Sequence, residues 1–177
     1  MNTLLTTILV GISLSMDAFS LSLVYGTYGL SKKNIYLLSI IVGTYHFFMP
    51  LIGLLFGNFI QEYLIFNINL VVSIIFGIIG IEMILSSFKD EEVNVNDNLL
   101  GFLLFGLSVS IDSLTTGIGL SIINNNYLEC SIIFMLTSSI FTYIGLLLGN
   151  KLNKKLGNIS TIIGGIILIL LAIYYYF

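Results

Sequence analysis

The sequence predicts an all-α, polytopic membrane protein with six transmembrane helices arranged as two inverted three-helix repeats. Of its 177 residues, 57% are hydrophobic and 8% are charged, and the mean hydropathy is +1.07. Soluble domains carry about 25% charged residues, so a lipid bilayer is the natural solvent for this chain. A helix needs about 20 apolar residues to span a bilayer. Six stretches satisfy this length, at roughly 3–27, 35–57, 67–88, 99–123, 128–149 and 159–177.

Each stretch has recognisable ends. The first has neither a positively charged start nor a small-residue cleavage site, so we expect a retained helix and not a signal peptide. The second contains the single proline, Pro50, where a kink is expected because proline cannot donate the helical hydrogen bond. Polar segments follow the third, fourth and fifth stretches, and the sixth ends in three tyrosines typical of a membrane interface. These segments read KDEEVNVNDN (89–98), NNN (124–126) and KLNKKLGN (151–158).

The lysines predict the orientation of the helices. All six basic residues are lysines, and all lie in the connections between helices 1 and 2, 3 and 4, and 5 and 6: Lys32, Lys33, Lys89, Lys151, Lys154 and Lys155. The positive-inside rule places these connections in the cytoplasm and both termini outside it. A chain without arginine is also poorly suited to recognising phosphate or nucleic acid.

Three pairs of segments indicate an internal repeat. Each helix of the first half matches the corresponding helix of the second half, at offsets of 95, 92 and 88 residues: GISLSMD (11–17) with GLSVSID (106–112), IGLLFGN (52–58) with IGLLLGN (144–150), and SIIFGII (73–79) with TIIGGII (161–167). A three-helix unit followed by its copy inserts with opposite topology, which is typical of secondary transporters with a site near the membrane midplane. We therefore predict one membrane domain, 1–177, made of repeat 1 (1–88), a cytoplasmic loop (89–98) and repeat 2 (99–177).

Two carboxylates occupy matching places in the two repeats. Asp17 and Asp112 each lie near the middle of a predicted helix, where a charged side chain costs about 2.5–3.5 kcal/mol or more. No lysine lies inside a predicted span, so either protons or bound cations must compensate. Carboxylates inside a membrane usually mark ion pathways, although two protonated carboxyls that merely support helix packing would also satisfy the pattern.

The neighbours of the aspartates favour a cation site. Helical spacing places hydroxyls at i−4 and i+3 on the same face as each carboxylate: Ser13 and Ser20 for Asp17, and Ser108 and Thr115 for Asp112. His46 lies in the middle of helix 2 and corresponds to Ser138 of helix 5. Either residue could belong to the ion path, or His46 could simply be neutral and bonded to a hydroxyl. Glu82 of helix 3 corresponds to Leu170, and it could mark an entrance or only reach the interface.

The candidate ligands suit a hard divalent cation. Two carboxylates neutralise one such ion, and oxygen-rich sites with at most one imidazole fit Mn²⁺, Mg²⁺ or Ca²⁺ better than Cu(I) or Zn²⁺. The chain has no GxxxxGK[ST] motif, so we expect transport to be driven by gradients. Carboxylates that hold either protons or a metal ion would exchange one for the other. These residues leave the direction of transport open, and no cofactor is expected beside the transported ion.

Three motifs resemble those of the small bacterial manganese efflux pump family of the MntP type. They are SMDAFSLS (15–22), MPLIG (49–53) and SIDSLTTGIG (110–119), and the resemblance extends over essentially the whole chain. The resemblance implies export of Mn²⁺ across the bacterial cell (inner) membrane, with Asp17 and Asp112 as the core residues. Relatives place Glu, Gln or His at the position of His46. They commonly carry a basic residue where Glu82 stands and a glutamate where Ser86 stands, so a charge pair on helix 3 is missing or rearranged here.

Other functions remain to be distinguished. An intramembrane aspartyl protease also uses two membrane aspartates, but it needs a GxGD-type sequence that neither aspartate has. We therefore do not expect an enzyme. A transporter of another small cation, a divalent cation importer, or a non-transporting membrane protein associated with sporulation would share the fold. The oligomeric state and the coupling ion, for which protons are the first expectation, do not follow from the sequence.

Overall fold

The computed structural model consists of six α-helices and describes residues 3–61, 68–88, 98–121, 123, 126–149 and 154–177. Lys89 and Lys151, two of the lysines that predict the orientation, lie outside these residues, as does most of the predicted cytoplasmic loop. The helices are α1 (Thr3–Gly26), α2 (Lys32–Gln61), α3 (Ile68–Ser86), α4 (Leu99–Leu120), α5 (Tyr127–Gly149) and α6 (Lys154–Tyr176). The prediction of an all-helical polytopic protein is confirmed.

Five of the six helices have an apolar stretch of at least 18 residues, which is long enough to cross a membrane. The exception is α3, whose apolar part, Leu70–Ser86, is shorter. Helix α2 is longer than predicted because it starts at Lys32 and continues through Pro50 to Gln61. Helix α4 ends at Leu120, three residues before the predicted end. Every predicted helix is therefore present, and the differences are confined to the helix ends.

Helices α1 and α5 pack along a seam of small residues. A Cβ atom added at Gly145 would lie 2.8 Å from the carbonyl oxygen of Phe19, and one added at Gly26 would lie 2.5 Å from that of Leu146. The backbones are therefore in direct contact, as small residues allow in membrane helix pairs. Residue numbers increase together along both helices, so α1 and α5 are parallel.

Helices α2 and α4 form a second seam of the same kind. A Cβ atom added at Gly57 would lie 2.8 Å from the carbonyl oxygen of Ile118, and one added at Gly53 would meet the backbone of Leu114. These contacts correspond to those of the first seam when the repeat offsets of 92 and 95 residues are applied. The corresponding pairs are Gly53 and Gly145, Gly57 and Gly149, Leu114 and Phe19, and Ile118 and Leu23.

The remaining helices, α3 and α6, pack against each other and close one side of the bundle. Gly80 and Gly165 lie so close that a Cβ atom on Gly80 would be 2.7 Å from the carbonyl oxygen of Gly165. Helix α6 also packs on α1, where Tyr175 and Thr6 share a hydrogen bond of 3.1 Å. The matched seams are what an inverted repeat would produce. The repeat and the side on which the termini lie stay predictions.

Candidate cation site

The two aspartates lie in the middle thirds of α1 and α4 and are half-buried. Helix α1 packs between α5 and α6, and α4 packs mainly on α2. Each carboxylate therefore stands on a helix that forms one of the two glycine seams. Neither carboxylate is without a polar or electrostatic interaction. Their depth in the helices is the one predicted from the repeat.

Helix α6 covers the part of α1 that carries Asp17. The Ser160 hydroxyl donates a hydrogen bond of 3.3 Å to the carbonyl oxygen of Met16, the residue before the aspartate. A Cβ atom added at Gly164 would lie 2.6 Å from the carbonyl oxygen of Ser13. Serine and glycine thus bring the α6 backbone close to the Asp17 segment.

The four hydroxyls predicted around the aspartates differ in exposure. Ser13 is fully buried and donates to the carbonyl oxygen of Leu9 at 2.9 Å, and Ser20 is half-buried. Their counterparts on α4, Ser108 and Thr115, are both exposed. The hydroxyls beside Asp17 are therefore more buried than those beside Asp112, while the two aspartates themselves are both half-buried.

His46 is buried among the helices, with 1% of its surface exposed. Its Nδ1 atom lies 3.0 Å from the carbonyl oxygen of Val42, which can only accept, so Nδ1 carries the proton and donates. In the neutral ring the Nε2 atom then has the lone pair that a metal ion requires. Pro50 follows His46 by four residues and has no N–H, so the carbonyl of His46 loses its helical donor. The Nε2 atom of His46 is thus suited to accept a proton or a cation, and its carbonyl oxygen is suited to accept a hydrogen bond or coordinate a cation.

Ser138 meets α1 at Ser15 and not at Asp17. The two hydroxyl oxygens are 3.2 Å apart, and Ser15 gives its own proton to the carbonyl oxygen of Gly11 at 2.6 Å, so Ser138 is the donor. One turn further along the same face of α5, the buried Thr142 hydroxyl has no hydrogen-bond partner. Ser15 and Thr142 were not among the predicted site residues. The motif SMD contains Ser15, but only the helix pairing shows that it faces α5.

The predicted carboxylate and imidazole ligands do not form a three-residue metal centre. Within the ranges that the structure describes, no three histidine, cysteine, aspartate or glutamate side chains lie close enough to hold one metal ion. Glu82 is exposed on α3. The arrangement therefore offers carboxylates and hydroxyls on neighbouring helices, without a set of three such acidic, histidine or cysteine ligands among the described residues.

Comparison with known proteins identifies the family. Residues 29–175 match the family model described as "Putative manganese efflux pump". The chain belongs to this family. The match begins within the α1–α2 connection and extends to the last turn of α6, and so includes His46 and Asp112.

Curated relatives extend the similarity through α1. Two proteins named "Putative manganese efflux pump MntP" are each 33% identical to this chain. The match to the Bacillus pumilus protein covers 94% of this chain and 91% of the relative. The match to the Geobacillus thermodenitrificans protein covers 91% of this chain and 88% of the relative. The protein of that name from Bacillus mycoides is 32% identical over 98% of the chain and 96% of its own length. No solved structure matches. The family consists of transporters and not enzymes, and its members fit multi-pass proteins of the cell membrane.

Proposed function

We propose that this protein is a secondary transporter that exports Mn²⁺ from the cytoplasm in exchange for protons, with Asp17 and Asp112 as the central pair. The observation that carries the proposal is the placement of two half-buried carboxylates in the middle thirds of α1 and α4. Membership of the manganese efflux pump family supports the substrate and the direction. The oxygen-rich surroundings are those that Mn²⁺ accepts.

Proton exchange follows from the chemistry of the carboxylates. Two ionised aspartates neutralise one divalent cation, and each must be neutralised again after the cation leaves because a bare carboxylate in a bilayer is costly. Taking up one proton each restores neutrality. An exchange of two protons for one Mn²⁺ moves no net charge, so a pH gradient should drive it and a membrane potential should not.

The first experiment measures cell manganese by elemental analysis in a bacterial host that lacks its own exporter. Wild type should lower the manganese content of Mn²⁺-loaded cells, whereas Asp17→Asn and Asp112→Asn should leave it at the level of an empty vector. Glu129→Gln is a matched control, because Glu129 lies at the start of α5 and accepts a hydrogen bond from Asn126 at 2.7 Å. High manganese in cells that contain inserted wild-type protein would contradict manganese export.

The second experiment tests the coupling ion in proteoliposomes. With the potential held at zero, an opposing pH gradient of about one unit should drive Mn²⁺ uphill, and collapsing the gradient should stop it. Imposing a potential of 100 mV adds about 2.3 kcal/mol per elementary charge moved. A flux that follows the potential and ignores the pH gradient would rule out the electroneutral exchange while leaving manganese transport intact.

A further inference from the structure

The exposed hydroxyls of α4 belong to one stripe that leads to α3. Ser108, Asp112, Thr115 and Gly119 are spaced i, i+4, i+7 and i+11, which places them on one face of the helix. A Cβ atom added at Gly119 would lie 3.2 Å from Ile75 Cγ2 of α3. The face of α4 that carries Asp112 is therefore the face that meets α3 near the end of α4.

The facing side of α3 also carries a carboxylate. Glu82 follows Ile75 by seven residues and so lies on the same face of α3. Because α3 and α4 are consecutive spans, they run in opposite directions. Seven residues beyond the contact between Ile75 and Gly119, Glu82 is at about the level of Asp112. Glu82 is exposed and Asp112 is half-buried, so α3 and α4 do not close on each other at this level and leave a groove between the two carboxylates.

The corresponding interface of the other repeat is closed. Helix α6 packs on the α1 stripe through Ser160 and Gly164, and the repeat offset of 88 residues maps these onto Val72 and Phe76 of α3. Phe76 is fully buried against the ring of Tyr175, at a centroid distance of 6.2 Å. The ring of Phe76 also reaches α4, where its Cε1 atom lies 3.4 Å from the position of a Cβ atom added at Gly119. The contact between α3 and α4 at this point is therefore made by side chains, whereas the small residues of α6 bring its backbone onto α1.

We propose that this groove is a water-filled path by which the cation reaches Asp112 from the side of the molecule where α3 ends and α4 begins. The inference rests on the proposed transport function. A half-exposed carboxylate in the middle of a membrane helix cannot face lipid at reasonable cost, so water must occupy the groove. The α1–α6 interface is its more closely packed counterpart, where α6 contacts the backbone of Ser13 and Met16 and Ser13 is fully buried.

Cysteine accessibility tests the path, and the repeat supplies matched controls. In a Cys130→Ala background, Ser108→Cys and Thr115→Cys are compared with their counterparts Ser13→Cys and Ser20→Cys, and with the lipid-facing Ile140→Cys. A cationic, membrane-impermeant methanethiosulfonate reacts with thiolates, which form only where water reaches the thiol. We expect the α4 positions to react at least about tenfold faster than positions 13, 20 and 140. Equal rates at all five positions would overturn the path.

Sidedness and protection sharpen the test. The predicted orientation requires that the reagent react from the cytoplasmic side, which inside-out vesicles expose. Because the groove is the proposed path of the cation, bound Mn²⁺ should slow the reaction at both α4 positions. Reaction only from the opposite side would overturn the proposed direction of the groove. A disulfide-linked dimer through Ser108→Cys, without labelling, would show that a second copy fills the groove and would overturn its aqueous nature.

The labelling result is independent of transport. Rapid labelling together with wild-type protein that fails to export Mn²⁺ would retain the water-filled groove and reject manganese export. Export by wild type together with inert α4 positions would reject the groove alone. Size-exclusion profiles and membrane content of each variant establish that the compared proteins are folded.

Discussion

Replacing Gly145 with alanine should weaken the α1–α5 seam by an amount that follows from its geometry. The added Cβ atom would lie 2.8 Å from the Phe19 carbonyl oxygen and 2.9 Å from Ser22 Cβ, whereas unstrained contacts of this kind lie at about 3.5–4.0 Å. Both neighbours are close to the backbone and cannot rotate away. The two helices must therefore separate by several tenths of an ångström along the seam.

Overpacking of this size costs about 1–3 kcal/mol. Alanine recovers up to about 1 kcal/mol because it is a better helix former than glycine. We expect a net loss of about 1–2 kcal/mol, which lowers the ratio of folded to unfolded protein about 5- to 30-fold. Gly77→Ala is the matched control, since its nearest neighbour, Ala172 Cβ, would lie 3.8 Å away and needs no adjustment.

The assay is unfolding by sodium dodecyl sulfate from mild detergent micelles, followed by circular dichroism because the chain has no tryptophan. Gly145→Ala should unfold at a lower fraction of the denaturing detergent than wild type, and Gly77→Ala at an equal or higher fraction. The repeat-related Gly53→Ala should behave like Gly145→Ala, because its Cβ atom meets the carbonyl oxygen of Leu114. Coincident curves for Gly145→Ala and Gly77→Ala would refute the close-packed seam.

Three further experiments with the same unfolding assay test individual polar groups. Thr142→Val should stabilise the protein by about 1 kcal/mol, because it replaces a buried hydroxyl without a partner by a methyl group; a loss of stability would mean that the hydroxyl has a partner. Asn98→Ala should destabilise by about 1 kcal/mol, because its Oδ1 atom accepts from Gly101 N at 2.7 Å and caps α4; an unchanged midpoint would contradict the cap. In a double-mutant cycle, Ser15→Ala and Ser138→Ala should couple by about 0.6 kcal/mol, and additive effects would exclude their hydrogen bond.

The number and order of the helices follow from the sequence because each needs only a long apolar stretch with polar ends. The matching glycines could also be identified, since IGLLFGN and IGLLLGN share six of seven residues. Their partners could not, because the repeat relates equivalent positions and does not say which helices touch. That α1 pairs with α5 and α2 with α4 is a tertiary fact, decided by how the small residues on both faces fit.

The position of the two aspartates within their helices could be predicted from the sequence, whereas the exposure of their neighbours could not; their role in a site stays a prediction. A carboxylate in an apolar run is conspicuous, and the repeat pairs Asp17 with Asp112. Helical spacing assigned equal hydroxyl neighbourhoods to both, yet Ser13 is buried while Ser108 is exposed. Gly164 lets α6 approach the Ser13 backbone, whereas its counterpart on α3 is Phe76, whose ring lies near Gly119 of α4. Such packing differences appear only when the helices are assembled.

The exchange of partners between the repeats has a consequence for biosynthesis. Helix α1 enters the membrane first, but its glycine seam forms only when α5 packs against it. Helix α5 begins after the 100 residues from 27 to 126 have been made. At about 5–20 residues per second, that delay is on the order of 5–20 s. During this time Asp17 is in lipid without its final neighbours, and a chain interrupted before α5 offers cellular proteases an incomplete bundle. Helices α1 to α4 must therefore stay together in the membrane until the last third of the chain, which contains α5 and α6, has been made.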